Sequence, residues 1–329
     1  MSRRLGLCVF VLAVLAVPAA HAAGPPAGAL QDGVGVVGGS PSGGGPVRYV
    51  AIGGGDHTTL ARIGTADGRV QNSSELTGAW GIPALTADGR HGGLSFDGSM
   101  LVLGGLKQGA TSRFLVVDTR SLMPTRRVVL NGSFAYDVLS PDGTRLYLIQ
   151  HMSADDLAHY VVRAYDLDTG RLLPGRIADK TQQGWVMQGY ALSRTTGAGG
   201  RWVYTLYMNP GGYPFVHALD TARGVAHCIG LPWTSPDQGR LANIRLGLGH
   251  GGKMLTLDWR SGRRWLTVNA ATWRITHAGA GAGNGFAWRW LVIGVGGAFV
   301  LLLVGVGLAI RSRGLRRGRA GFQASAEAS

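Results

Sequence analysis

Two aspartates and two histidines crowd one polar stretch: His151, Asp155, Asp156 and His159. Two carboxylates and two imidazoles have the donor set for a divalent cation if a loop folds back on itself. The same stretch, set between Ile149 and Val161, reads more simply as a solvated hairpin loop, and no metal is expected. Asp56 beside His57 suggests acid–base chemistry, but a turn carrying a surface histidine is the preferred reading. Asp118, Asp168 and Asp220 recur too regularly to form one acidic cluster. They suit side chains that accept hydrogen bonds from nearby amides in successive turns. The sequence has no G-x-S-x-G elbow, no H-E-x-x-H and no C-x-x-C, and Gly53-Gly54-Gly55 lacks the lysine and helix of a phosphate loop. Catalytic residues are therefore unassigned, and no cofactor is expected.

Recognition chemistry is better placed on three longer segments: Met152 to Tyr160, Met208 to Pro214 and Leu231 to Pro236. They set Tyr213 and Trp233 on loops, where rigid aromatic area can grip a partner or a sugar face. Packing between neighbouring repeats is the competing reading of both residues.

The elements that must hold these loops form a repeat. Leu94 to Leu103 (LSFDGSMLVL) and Val138 to Leu148 (VLSPDGTRLYL) each read as strand, Ser-x-Asp-Gly turn, strand. Degraded copies follow at Leu192-Ser193 with Gly199 to Tyr204, and at Leu246 to Leu248 with Gly251 to Leu255. A second module ends at Asp118, Asp168, Asp220 and Asn269, with an earlier copy near Ala61 to Val70. A unit of about 50 residues with roughly four short strands has the period of a propeller blade. The fold class expected is all-β: a β-propeller of about five four-stranded blades over residues 47–277, followed by a single transmembrane helix.

The strand pair at Ser140 to Tyr147 with Tyr165 to Gly170 (YDLDTG) resembles the YVTN and WD40-like propeller repeats of bacterial surface proteins. The resemblance is sharp in that central unit. Elsewhere Gly199-Gly200 and Gly251-Gly252 stand for Asp-Gly, and Asn269 for Asp. It implies a propeller used mainly for binding and supplies no catalytic residue.

The chain ends carry topology signals. Arg3 and Arg4, the apolar run Leu5 to Val17 and Ala20-His21-Ala22 read as a signal peptide over residues 1–22. Residues 23–46 read as a Gly/Pro-rich linker and 278–289 as a juxtamembrane linker. Trp290 to Ile310 is uncharged and, at about 30 Å as a helix, matches a bilayer core. Five arginines follow in residues 311–329, a basic tail placed inside by the positive-inside rule. The expected localisation is the cell membrane, single-pass type I, with the main domain extracytoplasmic.

The 329 residues carry a net charge of +14, with 55 glycines spread through the domain, which suits tight turns and argues against long helices. A basic exterior favours acidic partners, and nucleic acid is not expected because no basic helix or zinc-finger spacing occurs. Cys8 lies in the signal, so Cys228 has no intrachain partner and reads as a buried small hydrophobe. These features together favour a noncatalytic, membrane-tethered extracytoplasmic module that binds an envelope protein or cell-wall polymer. The alternative is an envelope enzyme, hydrolase or lyase, with an active site in the central funnel. Non-repeating polar residues around the axis would favour the enzyme.

Overall fold

The computed structural model describes residues 30–31, 35–39, 45–107, 110–153, 156–181, 187–210 and 212–277. Two compact units divide the chain, Met1–Arg274 and Ile275–Ser329. The account below concerns the first; of the second, only the strand Ile275–His277 is described.

In chain order, β1 (Leu30–Gln31) and β2 (Gly35–Gly38) precede β3 (Val47–Gly53), β4 (His57–Gly64) and β5 (Val70–Thr77). Then come β6 (Trp80–Pro83), β7 (Met100–Gly105), β8 (Thr111–Asp118) and β9 (Pro124–Asn131). The middle of the chain supplies β10 (Ser133–Leu139), β11 (Arg145–His151), β12 (His159–Asp166), β13 (Arg171–Leu172) and β14 (Met187–Gln188). After these follow β15 (Tyr190–Thr196), β16 (Trp202–Met208), β17 (Phe215–Asp220) and β18 (Val225–Gly230). The last are β19 (Ile244–Gly249), β20 (Met254–Trp259), β21 (Arg264–Asn269) and β22 (Ile275–His277). Five sheets result in the first unit, ordered β2-β3-β4-β5, β1-β6-β7-β8-β9, β10-β11-β12-β13 with β14 on β12, β15-β16-β17-β18, and β19-β20-β21. β1 and β2 both lie in the stretch whose composition reads as linker.

Alternation explains why these sheets stack. In β7 and β8, Leu101, Leu103, Leu115 and Val117 face a core shared with Tyr49, Leu60 and Leu76 of the first sheet. Val102, Phe114 and Val116 point the other way, into a core shared with Tyr136, Leu146 and Leu148 of the third. A strand buried on both faces reads as a continuous apolar run, as Leu101 to Leu103 does.

The turns repeat the sequence pattern. Asp97 accepts from Ser95 Oγ and the Ser99 amide at 2.7 and 3.0 Å, and Asp142 accepts from the Thr144 amide at 3.1 Å. Gly98 and Gly143 hold φ of +75° and +71°, the left-handed region that glycine enters without strain. In the second module the equivalent acids are Asp118, Asp166 and Asp220, with Asn269 in the last copy; each accepts amides two or three residues on. Asp168, expected in that series, instead lies 3.5 Å from Arg126 on the second sheet. At Thr58 and Ser112 a single hydroxyl both donates and accepts between neighbouring sheets. Thr58 donates to Gly78 O and accepts from the Trp80 amide, both at 2.8 Å, while Ser112 donates to Gly132 O at 2.8 Å and accepts from the Phe134 amide at 2.7 Å.

The expected closed propeller with a trailing membrane helix is corrected. Among the described residues no strand pairing closes the first sheet onto the last: β2–β5 and β19–β21 are separate sheets, and the N-terminal β1 adds to the second sheet beside β6. Residues 84–98, between β6 and β7, also meet the first strand of every other sheet. Leu94 covers Gly38, the Gly93 backbone lies near the Tyr136 phenol, Ala87 donates to Ala191 O at 2.9 Å, and Asp88 lies 3.6 Å from Arg245. The first strands therefore converge on polypeptide and not on an open funnel.

Among the described residues no helix is long and apolar enough to cross a membrane; the helical segments are three short 3-10 turns. Membrane tethering, the single-pass topology and the membrane-bound partner scheme are accordingly withdrawn. The signal peptide (1–22), the juxtamembrane linker (278–289), the span (290–310) and the basic tail (311–329) lie outside the described residues.

Candidate functional site

Trp233 and Tyr213 part company in the structure. Tyr213 is 74% exposed. Trp233 is half-buried against Trp265 (ring centroids 5.3 Å apart, edge-on) and Trp259 (6.4 Å). Three indoles thus gather at one end of the last sheet, a platform that sequence reading found only through Trp233.

Two local structures aim arginines at this platform. The first is the 3-10 turn Gln238–Asn243, started by Asp237, whose carboxylate accepts from the Gly239 amide at 2.9 Å. Its Gln238 side chain takes the Asn209 amide at 3.0 Å and donates to Asn209 O and Gly212 O at 2.9 and 2.7 Å. The loop bearing Tyr213 is thereby pinned to the turn bearing Arg240. The second is the β20–β21 hairpin, closed by Gly262 N to Trp259 O and Trp259 N to Arg263 O, both at 2.8 Å, with Gly262 at φ +83°. Arg260 N donates to Asn243 O at 2.7 Å, which fastens the hairpin to the turn.

The result is a cavity of about 410 Å³ lined by Arg240, Asn243, Trp259, Arg260, Ser261 and Arg263. The guanidinium carbons of Arg240 and Arg263 each sit 5.9 Å from the Trp259 ring centroid, within reach of the ring's negative face. The lining holds three guanidinium groups and no carboxylate. Nearby arginines are compensated: Arg264 holds Asp258 at 2.8 Å and Arg245 faces Asp88 at 3.6 Å. Among the described residues Arg240, Arg260 and Arg263 form no ion pair. Burial lowers the Arg245 pKa, Asp88 opposes that shift, and the neighbouring cations Arg260 and Arg90 add to it. The unpaired guanidinium groups of the pocket attract anions and can fork two N–H donors onto carboxylate or phosphate oxygens.

Two further polar groupings lie inside the fold. Arg194 donates to Asp137 Oδ1 at 2.6 Å and to Asp137 O at 3.1 Å, with both side chains under 10% exposed. Asp137 falls at a register shift between Tyr136 and Val138, and such a bulge re-aims the strand locally. Beyond it, His217 Nδ1 lies 3.6 Å from Cys228 Sγ. Asp179 accepts the Cys228 amide at 2.9 Å and meets His227 at 3.0 Å. Burial lowers the His217 pKa to about 4 and pushes the Cys228 thiol up, leaving a poor nucleophile. Asp179, buried, is held below the ordinary carboxylate range by donors from Thr181 and Cys228 that outweigh its desolvation.

The polar stretch at His151 does not converge. His151 Nδ1 faces Leu157 O at 3.1 Å, Asp156 pairs with His159, and Asp155 lies outside the described residues. Asp56 and His57 pair at 3.1 Å on the surface. Sequence reading missed the arginine pocket. Arg260-Ser261-Gly262-Arg263 between two tryptophans was the available signal: a tight turn with a cation at each end. It also missed Thr86-Ala87-Asp88-Gly89, a further copy of the Ser/Thr-x-Asp-Gly turn.

No protein-family model matches the chain, and no curated protein matches it. Among solved structures, the Kuenenia stuttgartiensis hydrazine synthase is 14% identical with a TM-score of 0.40, over 77% of this chain and 80% of that one. TolB from Acinetobacter baumannii is 13% identical with a TM-score of 0.38, and the matched region spans 70% of this chain and about half, 53%, of that chain. A putative TolB from Agrobacterium tumefaciens is 13% identical with a TM-score of 0.40, over 74% and 79%. The repeated antiparallel sheets of this chain resemble propeller blades, without singling out the YVTN or WD40-like repeats.

Proposed function

We propose that the chain binds an anionic ligand in the pocket formed by Arg240, Arg260 and Arg263 around Trp259. The observation that carries this reading is three guanidinium groups converging without a carboxylate in the lining. Leaving like charges together costs Coulomb energy that a bound anion recovers. The indoles supply rigid apolar area beside the charges, and Trp233 buttresses Trp259 from behind. Tyr213 lies exposed on the loop that Gln238 pins to the turn bearing Arg240. No membrane tether enters this reading. The Ser-Pro-Asp-Gly and Asp-Leu-Asp-Thr-Gly signatures of the third sheet support placing the repeats near the YVTN and WD40-like group, and leave the pocket as a feature of the last sheet alone.

Calorimetric titration of the full chain with orthophosphate at low salt tests the pocket. Saturable binding is expected, weakened roughly ten-fold or more by Arg240→Ala and by Arg263→Ala, since each removes charged hydrogen-bond donors. No saturable binding, or variants that bind like the wild type, would refute the reading.

A second reading, hydrolase or lyase chemistry where the first strands converge, is favoured by one observation. Asp137, Arg194 and Arg245 are polar side chains outside the repeated turns, each on the first strand of its sheet, with Arg194 paired to Asp137 and Arg245 to Asp88. The turnover of a panel of ester, glycoside and uronate substrates, lost in Asp137→Asn with the fold intact, would favour it over binding alone.

A further inference from the structure

We infer that the ligand of the arginine pocket is an acidic sugar unit, a pyranose ring carrying an anionic group. This rests on the pocket reading above and adds the chemical class of the body that bears the charge.

A bare oxyanion underfills the site. The cavity of about 410 Å³ falls in the range of about 300–1,000 Å³ that holds small organic ligands. Beside the three arginines its lining has three neutral residues, Asn243, Trp259 and Ser261. The side chains of Asn243 and Ser261 are exposed and form no hydrogen bond among the described residues. Asn243 is nonetheless fixed through its backbone, whose carbonyl accepts from the Arg260 amide at 2.7 Å. An amide and a hydroxyl each offer both a donor and an acceptor, and the hydroxyls of a sugar do the same.

Trp259 supplies a flat surface. It is half-buried, and two further indoles hold it: the centroids of Trp233 and Trp265 each lie 6.4 Å from its own and 5.3 Å from one another. Trp265 is the extra residue of a bulge, since Leu257 pairs with Leu266 but Asp258 pairs with Arg264, and a bulge re-aims a side chain. The guanidinium carbons of Arg240 and Arg263 stand 5.9 Å from the Trp259 centroid, whereas a group stacked in contact lies about 3.5–4 Å away. The cations therefore flank the indole without capping it. The C–H face of a pyranose can lie on the ring while its charged substituent meets a guanidinium.

Other bodies fit less well. A flat aromatic ring would cover Asn243 and Ser261 without giving them partners, and polar groups left unpaired oppose binding. An acyclic polyol would meet both but presents no ring face and gives up more rotational freedom.

The test titrates the full chain by calorimetry, at constant ionic strength, with orthophosphate, glycerol 3-phosphate, phenyl phosphate and glucose 6-phosphate. Glucose 6-phosphate is expected to bind roughly ten-fold or more tighter than each of the others, because each neutral hydrogen bond contributes several-fold. The Asn243→Ala, Ser261→Ala double variant is expected to lose most of that gain. No gain over orthophosphate, an equal gain for glycerol 3-phosphate or phenyl phosphate, or a gain that the double variant keeps, overturns the sugar inference and leaves the pocket standing. If none of the four binds, the pocket reading fails and this inference with it. Thermal unfolding at the wild-type temperature shows that the double variant is folded, and the comparison of probes on the wild type decides the matter without it.

Discussion

The interface between the third and fourth sheets and the pocket on the last sheet spend charge in opposite ways. At the interface, Asp137 and Arg194 are buried and paired at 2.6 Å, and Asp179 is met by Thr181, Cys228 and His227. At the pocket, three arginines are exposed and line a cavity without an acid. A buried charge must find its partner within the chain, because desolvation is not otherwise recovered. An exposed charge has no such obligation, and several of one sign held rigidly together point outward to a ligand. Compensation thus separates the polar groups that hold this fold from those available for recognition.

The sharpest way to break the comparison is at Asp137. Asp137→Ala strands the Arg194 guanidinium in the interior and is expected to cost about 3–5 kcal/mol, read by urea denaturation. A small loss, under about 1 kcal/mol, would mean that the pair is solvated and the contrast false. The next effect is pH-dependent. The folded pKa of His217, about 4, lies below its ordinary value, so the fold favours the neutral ring. Stability is complete above about pH 6.5 and falls as pH drops toward 4, where the unfolded chain takes a proton that the fold refuses. The loss is roughly 3 kcal/mol from this residue. His91 and His151, also lowered by burial, add to it, while exposed His57, raised by Asp56, opposes it. His217→Asn should flatten that part of a pH–stability profile.

Smaller in size is the hydroxyl link between the first two sheets. Thr58→Val leaves Gly78 O and the Trp80 amide without their partner and is expected to cost about 1–3 kcal/mol; Ser112→Ala should behave alike between the second and third sheets. Smallest of all on stability is the pocket. Arg240→Ala and Arg263→Ala are expected to stay within about 0.5 kcal/mol of wild type, although they reduce anion binding.

The strand repeat was legible because its turns are chemical: Ser-x-Asp-Gly and the trailing Asp or Asn each close a hydrogen-bonded loop that tolerates few other residues. The third module was misaligned at Asp168 because Tyr165-Asp166-Leu167-Asp168-Thr169 offers two acids, and strand register, with Asp166 opposite Arg145, decides between them. The hydroxyl links at Thr58 and Ser112 recur at the same separation of 22 residues from the amides they accept, yet one threonine and one serine among many carry no signature. Residues 84–98 look like an ordinary stretch between strands. Their contact with the other four sheets depends on long-range packing that no local pattern encodes. Of the two aromatic recognition candidates, Trp233 stands beside the pocket and Tyr213 on the loop fastened to it. The arginines were invisible as a group because they come from a turn and a hairpin about 20 residues apart and look like solvated positions one at a time.

The central claim is tested most directly by thermal unfolding of the full chain with and without saturating orthophosphate, for wild type and for the Arg240→Ala, Arg263→Ala double variant. A ligand that binds only the folded chain raises its stability by about 2.7 kcal/mol at a hundred times its Kd. The account predicts a clear rise in wild-type Tm with ligand, and a double variant with the wild-type Tm alone but little rise when ligand is added. An equal rise in both proteins, or none in either, would contradict it.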